Sequence, residues 1–309
     1  MNTFIYSNTN KRYHTLDYEY KKIFGTKVFK VGLDAGFTCP NIDGTKGLNG
    51  CIYCSKKDNT KNSSPKDLVS EFYKELEPLE KKWPNSLYIG YFQTRSNTYA
   101  PVKVLKEKYE TILKLDKVVG LDIATRPDCI DDECLEYLSS LNKKTYLTIE
   151  LGLQTIHEKT AKLINRCHSL ECFTTCVNNL RKNNINVVVH IINGLPYETK
   201  EDMLETVKFL NTLDIQGIKI HMLYIAKDTY LAKMYKEQNF PIMSKEEYIE
   251  LVCDQLEYLR PEIVICRLTG DPIKEELIAP SWVLKKIDVL NGIDKCLAQR
   301  KSYQGINLK

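Results

Sequence analysis

Six apolar, β-prone runs recur along this chain with a helical-period segment between each pair of neighbours. No other feature restricts the fold as much. The runs are Lys27–Phe37, Leu87–Phe92, Val118–Ala124, Tyr146–Leu151, Val187–Ile192 and Gly217–Ile225. Helices are expected near Pro65–Lys82, Pro101–Lys114, Asp131–Leu141, His157–Ile164, Leu170–Asn183 and Lys200–Leu213. Ser64 before Pro65 pairs a capping residue with a proline at the first turn. Strands alternating with helices imply βαβ units and a parallel sheet. Most of the runs are apolar on both faces, as strands are when helices cover the sheet. Six units are too few to close an eight-fold barrel, so the expected fold is α/β, a partial (β/α)6 TIM-like barrel over residues 1–226. In such folds ligands collect at the carboxyl ends of the strands. After Ala226 come two helical stretches, one apolar run, Ile263–Leu268, and a basic amphipathic helix near Trp282–Arg300. These are read as a C-terminal α/β extension, residues 227–309, that caps the barrel.

The 309 residues suffice to bury a core without covalent staples. No apolar run reaches the ~18 residues that span a bilayer, and the N-terminus lacks the apolar centre of a signal peptide. A cytoplasmic protein with no membrane association is expected. The net charge of +4 permits a nucleic-acid partner without demanding one. Eleven cysteines in such a chain point to metal ligation or to burial as small hydrophobes rather than to disulfides.

Three of them stand apart. Cys39, Cys51 and Cys54 follow the first strand with the spacing Cys-x11-Cys-x2-Cys, in a loop (residues 37–55) rich in Gly, Asn and Asp. A structural zinc site wants four closed ligands, and no fourth Cys or His lies nearby in sequence. Three thiolates around a four-iron cluster leave one iron open for a small molecule. A zinc knuckle borrowing His14, or cysteines that merely pack, are the alternatives.

With its long first gap followed by Cys-x2-Cys, this loop resembles the radical S-adenosylmethionine (SAM) superfamily, and within it the small Elongator-like subfamily, which lacks the acetyltransferase domain of Elongator's catalytic subunit. The resemblance covers Tyr13 to Ile225. It implies a [4Fe–4S] cluster on Cys39, Cys51 and Cys54, and SAM as co-substrate. The reduced cluster would pass an electron into the SAM sulfonium, giving methionine and a 5′-deoxyadenosyl radical that takes hydrogen from a substrate. The catalytic centre would be the cysteine-held cluster itself, reduced by a donor such as flavodoxin or ferredoxin.

The strand ends supply candidates for SAM. Gln93, Ser96, Asn97 and Thr98 follow the second strand, where the superfamily receives the methionine amine; a capped turn is the alternative. Thr125 and Arg126 end the third. A buried arginine needs an anion, so Arg126 meets either a carboxylate or phosphate of a ligand, or Asp128 or Asp122. Gln154 and Arg166, twelve residues apart, resemble the ribose and carboxylate contacts. On the fifth strand His190 resembles a SAM-contacting polar position, and Gly194 begins a Gly-Leu-Pro turn like that beneath adenine. Leu223 is a candidate backbone contact to adenine. Glu150 is either a substrate-side acid or a buried ion-pair partner.

Cys129, Cys134, Cys167, Cys172 and Cys176 form looser groups and are read as buried hydrophobes, a second cluster being the alternative. Elongator-like relatives act on the 5-position side chain of the wobble uridine of tRNA. Lys285, Lys286, Lys295, Arg300 and Lys301 could then meet phosphates, or simply form a solvated face. A small metabolite or peptide is the alternative substrate, and a non-catalytic iron or zinc module the alternative function.

Overall fold

The computed structural model describes residues 4–54, 64–238 and 240–308. In chain order the elements begin α1 (Leu16–Phe24), β1 (Val28–Leu33), α2 (Pro65–Lys82), β2 (Leu87–Phe92), α3 (Val102–Leu113), β3 (Val118–Thr125), α4 (Asp132–Asn142) and β4 (Tyr146–Gln154). They continue α5 (Glu158–Leu163), α6 (Leu170–Lys182), β5 (Asn186–Asn193), α7 (Lys200–Leu210), β6 (Gly217–Met222), β7 (Ile225–Ala226) and α8 (Tyr230–Gln238). The last are α9 (Lys245–Tyr258), β8 (Val264–Arg267), β9 (Leu277–Ala279) and α10 (Lys286–Gln299). At the start of α2, Ser64 Oγ accepts from Asp67 N while Asp67 Oδ2 accepts from Ser64 N, a reciprocal cap.

Seven strands form one sheet in the order β1-β2-β3-β4-β5-β6-β8, every neighbouring pair parallel. The six expected strands are present, and the run expected in the extension adds a seventh at the edge, with Gly217 opposite Val264. Two of the expected strands are shorter. The first ends at Leu33, before Gly36 takes a φ of +69° and turns the chain into the cysteine loop. The sixth ends at Met222, and Ile225 leaves the sheet to pair antiparallel with Ala279.

The sheet curls. Tyr91 on β2 and Lys219 on β6 lie four strands apart, roughly 19 Å in a flat sheet. Yet Lys219 Nζ donates to Tyr91 Oη at 2.9 Å. Strand alternation explains what meets inside. Leu121, Ile123, Leu147, Ile149, Leu151, Val187, Val189 and Ile191 face the helices and form the main core. The residues between them, Asp122, Thr148, Glu150, Val188 and His190, face the lumen. Among the described residues no helix is long and apolar enough to cross a membrane.

Candidate functional site

The loop after β1 is folded by its own backbone. Cys39 O accepts from Ile42 N (2.8 Å), Asn41 O from Gly50 N (2.7 Å) and Cys51 O from Cys54 N (2.9 Å). Its last residue, Ser55, lies outside the described residues. Asn165, between α5 and α6, holds the loop from beside it: Nδ2 donates to Gly50 O (2.7 Å) and Leu48 O (3.1 Å). Asn41 Nδ2 reaches back to Asn165 O and toward Cys51 Sγ at 3.5 Å. Gly47 makes this packing possible, because a Cβ there would sit 2.1 Å from Asn41 Oδ1.

Cys39, Cys51 and Cys54 line one cavity of about 530 Å³ at the carboxyl ends of the strands. The Cys54 thiol donates to Cys51, and this, against burial, pushes Cys51 down to about 6; Cys54 is raised in return. Arg126 also acts on Cys51, and Arg95 on Cys54, each favouring the thiolate. Soft thiolates are the donors an iron–sulfur cluster takes, and three of them leave a coordination position for a ligand, so the residues fit the cluster. His14 is no fourth ligand: its ring nitrogens bond Pro261 O (3.2 Å) and Glu19 (2.9 Å).

Gln93, Ser96, Thr125, Arg126, Gln154, Arg166, His190 and Leu223 line the same cavity. Asn97, Thr98 and Gly194 lie outside this lining. Asn97 Nδ2 instead ties the ends of β2 and β3 by donating to Phe92 O (3.2 Å) and Ala124 O (2.8 Å). Thr98 Oγ1 bonds Thr125 Oγ1 and Cys129 O, each at 2.7 Å. Gly194, with φ +85°, donates to Met203 Sδ at 3.1 Å.

The two arginines are committed within the protein. Arg126 makes a bidentate pair with Asp128 (2.9 Å twice) and donates to Arg166 O (2.8 Å), so the carboxylate it meets is internal. Arg166 is only 2% exposed. It donates to Leu153 O, Thr155 O and His168 O at 2.6–3.0 Å, and to Glu158 at 3.3 Å. It clamps the end of β4, where Gln154 takes a φ of +68°. The Leu223 N–H is taken by Asn193 O at 2.9 Å.

Beneath the cavity lies a charge network that reading the motifs one by one did not assemble. Glu150 on β4 receives Lys30 Nζ (3.0 Å) from β1, Lys219 Nζ (2.6 Å) from β6 and His190 Nε2 (2.8 Å) from β5. Lys30 also pairs with Asp122. Burial would raise the Glu150 carboxyl, but the two lysines and His190 hold it well below the ordinary range. Of its two expected roles, Glu150 is the buried ion-pair partner. The signal was available: Lys30, Asp122, Glu150, His190 and Lys219 are isolated polar residues within apolar strands, at lumen-facing positions.

Residues 44–210 match the family model of the radical SAM superfamily, and residues 215–299 that of the Radical_SAM C-terminal domain. The chain belongs to the radical SAM superfamily. It is a radical SAM enzyme, whose cofactors are a [4Fe–4S] cluster and SAM, and the non-catalytic module is excluded. The superfamily match begins just after Cys39. Protein YtqA of Bacillus subtilis is 50% identical over 306 residues, covering 98% of this chain and 95% of its own. Elongator complex protein 3 of Dictyostelium discoideum is 25% identical over 60% of this chain, which spans only 32% of that protein. The archaeal Methanocaldococcus infernus Elp3 structure superposes with a TM-score of 0.68 at 17% identity, over 90% of this chain and 64% of that one. The likeness to these two Elongator proteins lies in the sequence of the radical SAM region and in the fold.

Proposed function

We propose that this radical SAM enzyme works in the cytoplasm on the 5-position side chain of the tRNA wobble uridine, with Cys39, Cys51 and Cys54 holding the cluster and flavodoxin or ferredoxin as reductant. The observation that carries the radical chemistry is the cavity in which these three thiols meet polar residues from successive strand ends. Kinship with the Elongator group supports the tRNA substrate.

When bound, the cluster supplies the electron that cleaves SAM and so produces the abstracting radical. The chain's own residues bind and orient. Gln93, Ser96, Thr125, Gln154 and His190 are the polar side chains of this lining assigned to SAM, and Leu223 lies at the same cavity. Asn97, Thr98, Arg126 and Arg166 brace the walls that carry them.

A neighbouring cavity of about 990 Å³ shares Gly50, Cys51 and Cys54 with the first, and its rim carries Lys227, Lys233 and Lys236 beside the exposed Tyr230. Cations beside an aromatic face suit a nucleic acid. Two of the five C-terminal basic residues are already paired within the protein, which favours this rim as the phosphate contact. Arg300 is enclosed by Glu250, Asp254 (2.7 Å) and Glu257 (3.1 Å), and Lys286 pairs with Asp271.

The test is anaerobic reconstitution with SAM and purified tRNA. The proposal expects 5′-deoxyadenosine formation to rise with tRNA and one uridine to change mass. Formation independent of tRNA, with every uridine unaltered, sinks the tRNA substrate and leaves a metabolite or peptide.

A further inference from the structure

The cavity has two ends. Arg95 and Arg126 act electrostatically on the cysteines, whereas Arg267 acts on Tyr91, His190, Lys219 and His221. At this second end β6 and β8 present His221 and Arg267, neither yet given a role. His221 is one inward step beyond Lys219, and Arg267 lies opposite Lys219 in the β6–β8 register.

Two observations mark this end as a binding site. The first is His221 Nε2, which is buried and has no hydrogen-bond partner among the described residues. A dry, unpaired ring nitrogen opposes folding, and a ligand atom that pairs with it removes the penalty. The second is unbalanced charge. Lys30, Lys219, Arg267 and Lys286 are four cations; Asp122, Glu150 and Asp271 are three carboxylates. Asp271 serves both Arg267, at 3.2 Å, and Lys286. The rest of the Arg267 fork makes no hydrogen bond among the described residues and lies at the cavity. Arg126, at the cysteine end, differs because Asp128 closes its fork from two sides.

We propose that Arg267 and His221 form a subsite that seats an oxyanion of the substrate, a carboxylate or a phosphate, at the end of the cavity opposite the cysteines. The proposal rests on the reading above only in taking this cavity as the reaction chamber. A guanidinium with a free edge accepts either anion in a fixed plane. The neutral imidazole adds a donor without adding charge. Together they fix where the substrate's anionic group stops, and so which of its C–H bonds faces the radical. They are binding and positioning residues.

The test is NMR of the reconstituted holoenzyme labelled with 15N-histidine. The chain has five histidines, so single His→Gln variants assign the signals. Sodium acetate, inorganic phosphate and SAM are titrated separately. The His221 signal is expected to move saturably with acetate or with phosphate, and the responding anion names the class. Arg267→Gln should weaken that affinity at least ten-fold, and Arg267→Lys should recover part of it. The proposal is overturned if neither anion moves His221, if Arg267→Gln titrates like the parent, or if SAM alone saturates the shift. An anion response without tRNA-dependent 5′-deoxyadenosine keeps this subsite and removes the tRNA reading. Turnover of tRNA with an unchanged KM in Arg267→Gln does the reverse.

Discussion

Replacing Glu150 by Gln keeps the volume of the side chain and removes the one charge that two lysines share. Lys30 retains Asp122, but Lys219 retains only Tyr91 Oη, at 2.9 Å. Breaking a buried ion pair from one side costs about 3–5 kcal/mol. Lys219 has an escape, since burial already lowers it from 10.5. Releasing its proton at pH 7.5 costs about 1.36 kcal/mol for each of three pH units, so the loss is capped near 4 kcal/mol. The pH dependence has a definite sign. A lysine lowered in the folded state leaves the unfolded chain with more protons, so the variant regains stability as pH rises toward 10.5. At pH 9.5 the same reckoning leaves a cap of about 1.4 kcal/mol. Urea unfolding of parent and variant at the two pH values measures this. Glu150→Gln combined with Lys219→Met should recover most of the loss, because the stranded cation is gone. A penalty below about 1 kcal/mol at pH 7.5, or one that does not shrink by pH 9.5, refutes the shared-charge account.

Arg166→Met should lower stability by about 3 kcal/mol or more, because three carbonyls lose their donor; a stable variant with only a raised KM for SAM would instead make Arg166 a carboxylate grip. Burial, first of all causes, pushes His168 down to about 4 and lowers His190 and His221. The unfolded chain then binds more protons below pH 6.5, so denaturant midpoints should fall between pH 6.5 and 4, and fall less in His168→Gln. Equal slopes for the two proteins would contradict this. Gly47→Ala should leave the barrel folded but reduce iron retained after reconstitution, because its Cβ collides with Asn41. Full iron content in that variant would show that the loop does not need this packing.

The strands were legible because each is a short apolar run, and all seven lay within runs that the sequence shows. The seventh, Val264–Arg267, is four residues long and follows β6 only after β7, α8 and α9 in the chain, so its partner could not be read locally. The cysteine loop was legible because its spacing is itself the chemistry. The surroundings of Arg166 were not. Arg166 binds backbone carbonyls, which every residue carries and no sequence pattern records. The bonds of Asn97 and Thr98 were hidden for a related reason: a polar residue after a strand can serve a ligand or staple two strand ends. The neutralisation of Arg300 was available, since Glu250, Asp254 and Glu257 form an i, i+4, i+7 stripe on α9.

Iron analysis with electron paramagnetic resonance of the reduced, anaerobically reconstituted protein tests most directly whether these three thiols hold an open cluster. About four irons per chain are expected, with a cluster signal that shifts when SAM is added and is lost in Cys39→Ala, Cys51→Ala and Cys54→Ala while the fold is kept. Stoichiometric zinc, or a cluster signal that ignores SAM, would contradict the account.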